Sequence, residues 1–163
     1  MTYTNLASAV VISLAVTACG SDSGDDPDPK DALIGKWSVD IPGSPGCLLA
    51  GTFNAKGVYE SDTICPLDDG SYGVEAEVGN YGADGTVIDF VPTHASCVVA
   101  RDHSPSSVSY GVSKTTLRLV LPSGAVVMQK FDDDPNSLGM GSVVVHYGCA
   151  NADAFVRSDI VPL

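Results

Sequence analysis

From residue 33 onward the chain is written in short apolar or alternating runs separated by turn residues. Helical spacing is sustained over three turns nowhere. Such a chain can bury its apolar side chains only by placing alternate residues on one face of a strand, so the expected class is all-β with antiparallel pairing across short connections. The clearest alternation is residues 71–78, with Tyr72, Val74, Ala76 and Val78 on one face and Glu75 and Glu77 on the other. This predicts a strand with one buried and one wet face. The two Glu are expected to solvate the wet face, because paired carboxylates do acid–base work only where burial separates their pKa values. Further strands are expected over 33–40, 47–53, 58–65, 86–91 (ended by Pro92), 96–100, 108–112, 117–121, 125–131 and 142–149. Leu117, Leu119 and Leu121 should face the core. Residues 151–157 suit either one helical turn capped by Asn151 or coil.

One hairpin can be placed in register. Asn54-Ala55-Lys56-Gly57 suits a type I turn with Gly57 in the left-handed region, a loop that pairs Asn54 with Val58. Antiparallel partners keep a constant sum of residue numbers, here 112, and Cys47 and Cys65 have that sum too. Facing residues lie roughly 4.5–5.5 Å apart at Cα, within or near disulfide range. The chain has 5 Cys. With Cys19 set apart below, Cys47, Cys65, Cys97 and Cys149 allow three connectivities. The hairpin selects Cys47–Cys65, which leaves Cys97–Cys149. No pair has the Cys-x-x-Cys spacing of a redox or zinc motif.

Composition shifts sharply along the chain. The apolar run from Leu6 to Val16 opens onto a segment of Gly, Ser, Asp and Pro, and residues 20–31 hold five Asp and one Lys, −4 of the total charge of −12. So polar a segment cannot offset its ordering entropy and should be a flexible tether. The remaining domain holds 15 acids against 7 bases. That balance disfavours nucleic acid and anionic lipid headgroups as partners.

Val16-Thr17-Ala18-Cys19 closes the apolar run in small residues followed by Cys, and so resembles the lipobox of a bacterial lipoprotein signal peptide. The resemblance implies a signal peptide over 1–18, cleavage before Cys19, lipid on Cys19, and a tether over 19–32. It places the protein outside the cytoplasm, anchored through that lipid to a bacterial membrane, the outer one by expectation, facing periplasm or cell surface. Residues 1–5 lack the Lys or Arg that usually opens such a signal. A retained membrane span would need roughly 20 apolar residues, more than this run supplies.

Residues 33–163 are expected to form one domain. Gly35-Lys36-Trp37, the Phe53 to Gly57 hairpin and the meander from Tyr110 to Phe131 resemble bacterial lipocalin-like domains. The resemblance implies an up-and-down antiparallel meander closing into a small barrel, a Trp plugging one end, and a cavity for an apolar ligand. A Greek-key sandwich is the other fold open to the residues, because the chain beyond Leu138 exceeds a simple eight-strand barrel. Ligand-lining candidates are Val74, Ala76, Ile88, Phe90, Leu117 and Leu119, which would equally fill a solid core.

Catalytic and metal signals are weak. His94 with Cys97, and Asp102 with His103, have metal-like gaps, but zinc needs three or four converging ligands, and Cys97 is better used in a disulfide. Asp132, Asp134 and Asn136 match the opening of a calcium loop whose required Gly and Glu are replaced by Ser137 and Val143. Gly-x-Ser-x-Gly and a phosphate-cradling Gly-rich loop are absent from the sequence. The expectation is therefore a non-catalytic lipoprotein domain without metal or cofactor. It would bind a small apolar molecule or, alternatively, another envelope protein.

Overall fold

A computed structural model describes residues 28–99, 101–135, 144–151 and 154–163. The apolar run from Leu6 to Val16, Cys19, most of the acidic segment, and Asn136, Ser137 and Val143 of the candidate calcium loop lie outside those residues. Among the described residues there are eleven strands: β1 (Gly35–Asp40), β2 (Leu48–Phe53), β3 (Val58–Pro66), β4 (Tyr72–Ala83), β5 (Val87–Ala95), β6 (Ser106–Val112), β7 (Thr116–Leu121), β8 (Gly124–Asp132), β9 (Val145–Asn151), β10 (Ala154–Arg157) and β11 (Val161–Pro162). Each of β1 to β7 pairs antiparallel with the next, and β8 returns to β1. The fold is thus a closed up-and-down barrel and not a Greek-key sandwich. The closing seam is short, Lys36 opposite Asp132, Trp37 opposite Lys130 and Ser38 opposite Gln129, with a bulge beside Lys36.

The β2–β3 hairpin has the expected register. Leu48 faces Ile64 and Phe53 faces Tyr59, and the turn amide of Gly57, at φ 77°, donates to Asn54 O at 3.1 Å. Asn54 Oδ1 accepts from the amides of Lys56 and Val58 at 2.9 and 3.1 Å, so the loop carries its own hydrogen bonds. Cys47 and Cys65 are bonded with Cα atoms 4.2 Å apart, and Cys97 is bonded to Cys149 at 4.9 Å.

Three expected features differ. The strand thought to end at Pro92 continues to Ala95, and residues 96–99 form bends and turns instead of a strand. Proline lacks an amide to donate, and it is tolerated here because the β4–β5 register shifts between Val78 and Gly79, opposite Pro92. Strand β4 runs past Val78 to Ala83, and Gly79 permits this. A Cβ there would lie 2.3 Å from Val91 O and 2.7 Å from the Tyr59 ring. Lastly, residues 154–157 form β10, a strand paired with β9, and not a helical turn.

The interior is filled at one end. Leu33, Trp37, Phe53, Tyr59, Tyr81, Ile88, Leu117 and Met128 make up the main cluster, with Leu33, Trp37, Ile88 and Leu117 wholly buried. The turn over residues 30–34 closes that end, and the Trp37 indole donates to Leu33 O at 2.8 Å. Lys130 Nζ stands 5.2 Å from the centre of the Trp37 ring, a cation–π contact.

The chain after the barrel packs outside it. β9 adds parallel to the open-end half of β4, β10 folds back on β9, and β11 pairs with the end of β5. Under this pad lies a second cluster of Ile64, Val74 and Ala76, with Leu48, Ala50, Tyr72 and Ile160 against it. Ser96 ties the parts together, because its Oγ accepts from the Ala76 amide and donates to Gly148 O, both at 2.9 Å. Cys97–Cys149 bonds the same corner covalently.

The two disulfides close loops of 18 and 52 residues in sequence separation. On chain entropy alone the longer one adds about 1 kcal/mol more. It also pins the outer pad, whereas Cys47–Cys65 joins strands already laddered. Double-Ser variants melted by calorimetry should show a loss larger by about 4 °C for the Cys97/Cys149 pair. Equal losses would show that loop length does not decide.

Candidate functional site

The barrel is hollow at the end away from Trp37. The turns there connect Asp40 to Leu48, Pro66 to Tyr72, Ala95 to Ser106 and Leu121 to Gly124. A cavity of about 280 Å³ lies inside, lined by apolar Leu49, Phe53, Tyr59, Phe90, Val108, Leu119, Leu121 and Met128 and by polar Ser61, Glu77 and Ser106. Its floor is aromatic. Phe53 meets Tyr81 edge-on at 5.1 Å between ring centres, Tyr59 meets Phe90 edge-on at 4.9 Å, and Phe53 and Phe90 are tilted at 6.2 Å. These rings separate the hollow half from the filled half.

The expected lining residues divide three ways. Phe90 and Leu119 line the cavity. Ile88 and Leu117 point inward but belong to the solid end, fully buried around Trp37. Val74 and Ala76 do not face the interior and instead lie in the outer cluster beneath the C-terminal pad. The expected sides of β4 are therefore reversed: Glu77 looks inward together with Tyr81, and the small apolar residues look out. Glu75 and Glu77 are not the wet face of that strand. Their side chains are only 14% and 28% exposed.

The loop between β5 and β6 folds over the mouth and is held by those two acids. Arg101 Nε donates to Glu75 Oε1 at 2.7 Å. His103 Nδ1 lies 2.6 Å from Glu77 Oε2, and its Nε2 lies 2.9 Å from Cys97 O. Carboxylate and carbonyl are both acceptors, so the ring satisfies both only when it carries both protons. Burial alone would lower the His103 pKa, but the bonds to Cys97 and Glu77 outweigh it and raise the pKa above its ordinary value. The other Glu77 oxygen, Oε1, accepts from the Tyr59 hydroxyl at 2.7 Å. Burial, then the bond to Glu77, pushes the Tyr59 phenol well up. A continuous polar chain thus runs from the cavity wall at Tyr59 through Glu77 to His103 on the covering loop. Sequence reasoning passed over this chain, although Glu77 and Tyr81 share a face of β4 once that strand is continued past Val78.

The other candidates do not converge. Cys97 is in a disulfide, His94 hydrogen-bonds Thr93 at 3.0 Å, and His103 is used by the loop. Asp132 Oδ1 accepts from the Asp134 amide at 2.9 Å, an ordinary turn. Among the described residues no three His, Cys, Asp or Glu side chains are grouped to hold a metal ion.

A histidine whose folded pKa is raised stabilises the fold fully below about pH 6.5, its unfolded value, and loses that contribution as pH rises through the folded value. The stability gap between the wild-type protein and His103→Gln should therefore be widest near pH 5.5 and shrink toward pH 9. Urea midpoints of the pair across that range measure it. A gap that widens with pH would contradict the assigned bonds.

No family model and no curated protein matches the chain. Among solved structures, the chain is similar to a lipocalin-like protein from Bacteroides uniformis ATCC 8492. The two share 20% sequence identity over 61% of this chain and 99% of that one, with a TM-score of 0.41.

Proposed function

We propose that this protein is an exported, lipid-anchored, non-catalytic binding protein whose barrel holds a small apolar molecule. The observation that carries the reading is the hollow of about 280 Å³ above an aromatic floor. A cavity of about 150 Å³ suffices for benzene, so this one has room for about twice as much. Apolar walls supply affinity, and the few polar groups at the mouth orient the occupant. Two disulfides fit an oxidising compartment. The Val16-Thr17-Ala18-Cys19 motif supplies the anchor, because several acyl chains together hold a protein firmly where one does not.

The alternative, an outer surface that docks another envelope protein, draws on one feature. Val120 and Val127 are 40% and 45% exposed on the outside of β7 and β8, and Phe131 is 53% exposed farther along β8.

Two measurements test the proposal. The full chain carrying Cys19→Ala, purified without detergent, should retain or take up an apolar molecule seen by native mass spectrometry. Leu119→Trp, which fills the hollow, should release it. No uptake by the parent protein would favour the surface reading. In bacteria fed a clickable fatty acid, the wild-type chain should be labelled and Cys19→Ala should not. Label persisting in the variant would refute the anchor.

A further inference from the structure

Resting on the reading that the hollow holds a ligand, we propose that the ligand is an apolar molecule bearing a protonated amine, with Glu77 as its counter-charge. The charged side chain turned into the hollow is Glu77; Glu60 borders it through its strand, but by the alternation of β3 its carboxylate lies on the outer face with Asp62. The neighbouring recess under the covering loop is lined by Glu75, Glu77, Arg101, Asp102 and His103. The mouth as a whole therefore sets three carboxylates against one guanidinium and one imidazole, and it stays net negative even with His103 protonated. A fatty-acid anion entering head-up would place its charge among these acids in a partly desolvated site, where like-charge contact is costly. An ammonium group would meet the opposite field.

The position of Glu77 makes the selection specific. Its two oxygens are held by Tyr59 from below and His103 from above, so the carboxylate cannot swing away from the hollow. Each carboxylate oxygen accepts more than one hydrogen bond, which leaves capacity for a ligand donor at the cavity wall. Ser61, opposite Glu77 on β3, and Ser106 also line the hollow and offer hydroxyl oxygens to further N–H groups. Below them the rings of Phe53, Tyr59 and Phe90, edge-on between Tyr59 and Phe90 and tilted between Phe53 and Phe90, suit an aromatic or compact apolar body. Ring faces also attract a cation. The chemical class is thus an arylalkylamine or similar molecule, small enough for about 280 Å³.

The experiment uses three probes of one shape, 2-phenylethylamine, 2-phenylethanol and phenylacetate, titrated calorimetrically into the full chain carrying Cys19→Ala at pH 7.5. The amine should bind at least about tenfold more tightly than phenylacetate, with the alcohol between them. Added salt should weaken the amine and leave the alcohol unchanged. Glu77→Gln should bring the amine down to the alcohol, and Leu119→Trp should weaken all three. Because Glu77 also holds the covering loop, the salt series on the unaltered mouth serves as a second readout. An alcohol that binds without any preference for the amine would overturn the ligand class and leave the binding reading standing. Failure of all three to bind would overturn both. An amine preference that survives Glu77→Gln, or amine binding that survives Leu119→Trp, would place the amine elsewhere and overturn the assignment.

Discussion

The packing of Tyr81 against Phe53 decides how the rest of the molecule is arranged. The two rings meet edge-on at 5.1 Å inside the barrel, and Tyr81 Oη donates to Asn54 O at 3.0 Å. Side chains alternate strictly along a strand, so once Tyr81 points inward, Gly79, Glu77 and Glu75 follow it. Gly79 lets Tyr59 and the β5 backbone close in, Glu77 reaches Tyr59, and Glu75 reaches the covering loop. Val74 and Ala76 are thereby sent outside, where they need a cover. The hollow, its acidic wall and the need for a C-terminal pad all descend from the phase of this one strand.

That phase was the main thing the sequence left illegible. Residues 71–78 alternate so cleanly that either face could be the buried one, and hydrophobicity favoured Val74 and Ala76. Both faces of β4 are in fact covered, one by the barrel lining and mouth loop, the other by β9 to β11. The deciding residue, Tyr81, lies beyond Gly79 and Asn80, which read as the end of a strand. The β2–β3 hairpin was legible for the opposite reason. Its register is set by four adjacent residues, Asn54 to Gly57, whose turn chemistry is local. From it Cys47–Cys65 follows by counting, and Cys97–Cys149 by elimination. The His103–Glu77 contact joins residues 26 apart in the chain. No local pattern announces it.

The outer pad contributes less apolar burial than the barrel interior, and it covers a liability. Asp62 lies on the outward face of β3, and its Oδ1 is buried without a hydrogen-bond partner. Burial, then the nearby Glu60, pushes its pKa up to about 7, against a smaller opposing pull from Lys36. A carboxyl group with a raised folded pKa costs nothing below its unfolded value of 3.8; the cost grows as pH rises from there and is complete once pH passes about 7. Packing over such a group therefore costs stability at neutral and alkaline pH. It is consistent that the pad is fastened by means insensitive to that cost: Cys97–Cys149, the two bonds of Ser96, and the contact from the Ser158 hydroxyl to Ser96 O.

The same corner controls the mouth. Cys97 is the last fixed point before the covering loop, and its carbonyl receives His103 at 2.9 Å. The loop is thus anchored at its start by a covalent bond to the pad and at its middle by ion pairs to the inward acids of β4. The acids that hold the loop are thus the same ones that give the hollow its charge. An ammonium group at Glu77 would share that carboxylate with His103, since each oxygen accepts a second hydrogen bond, so ligand and covering loop would meet at one side chain.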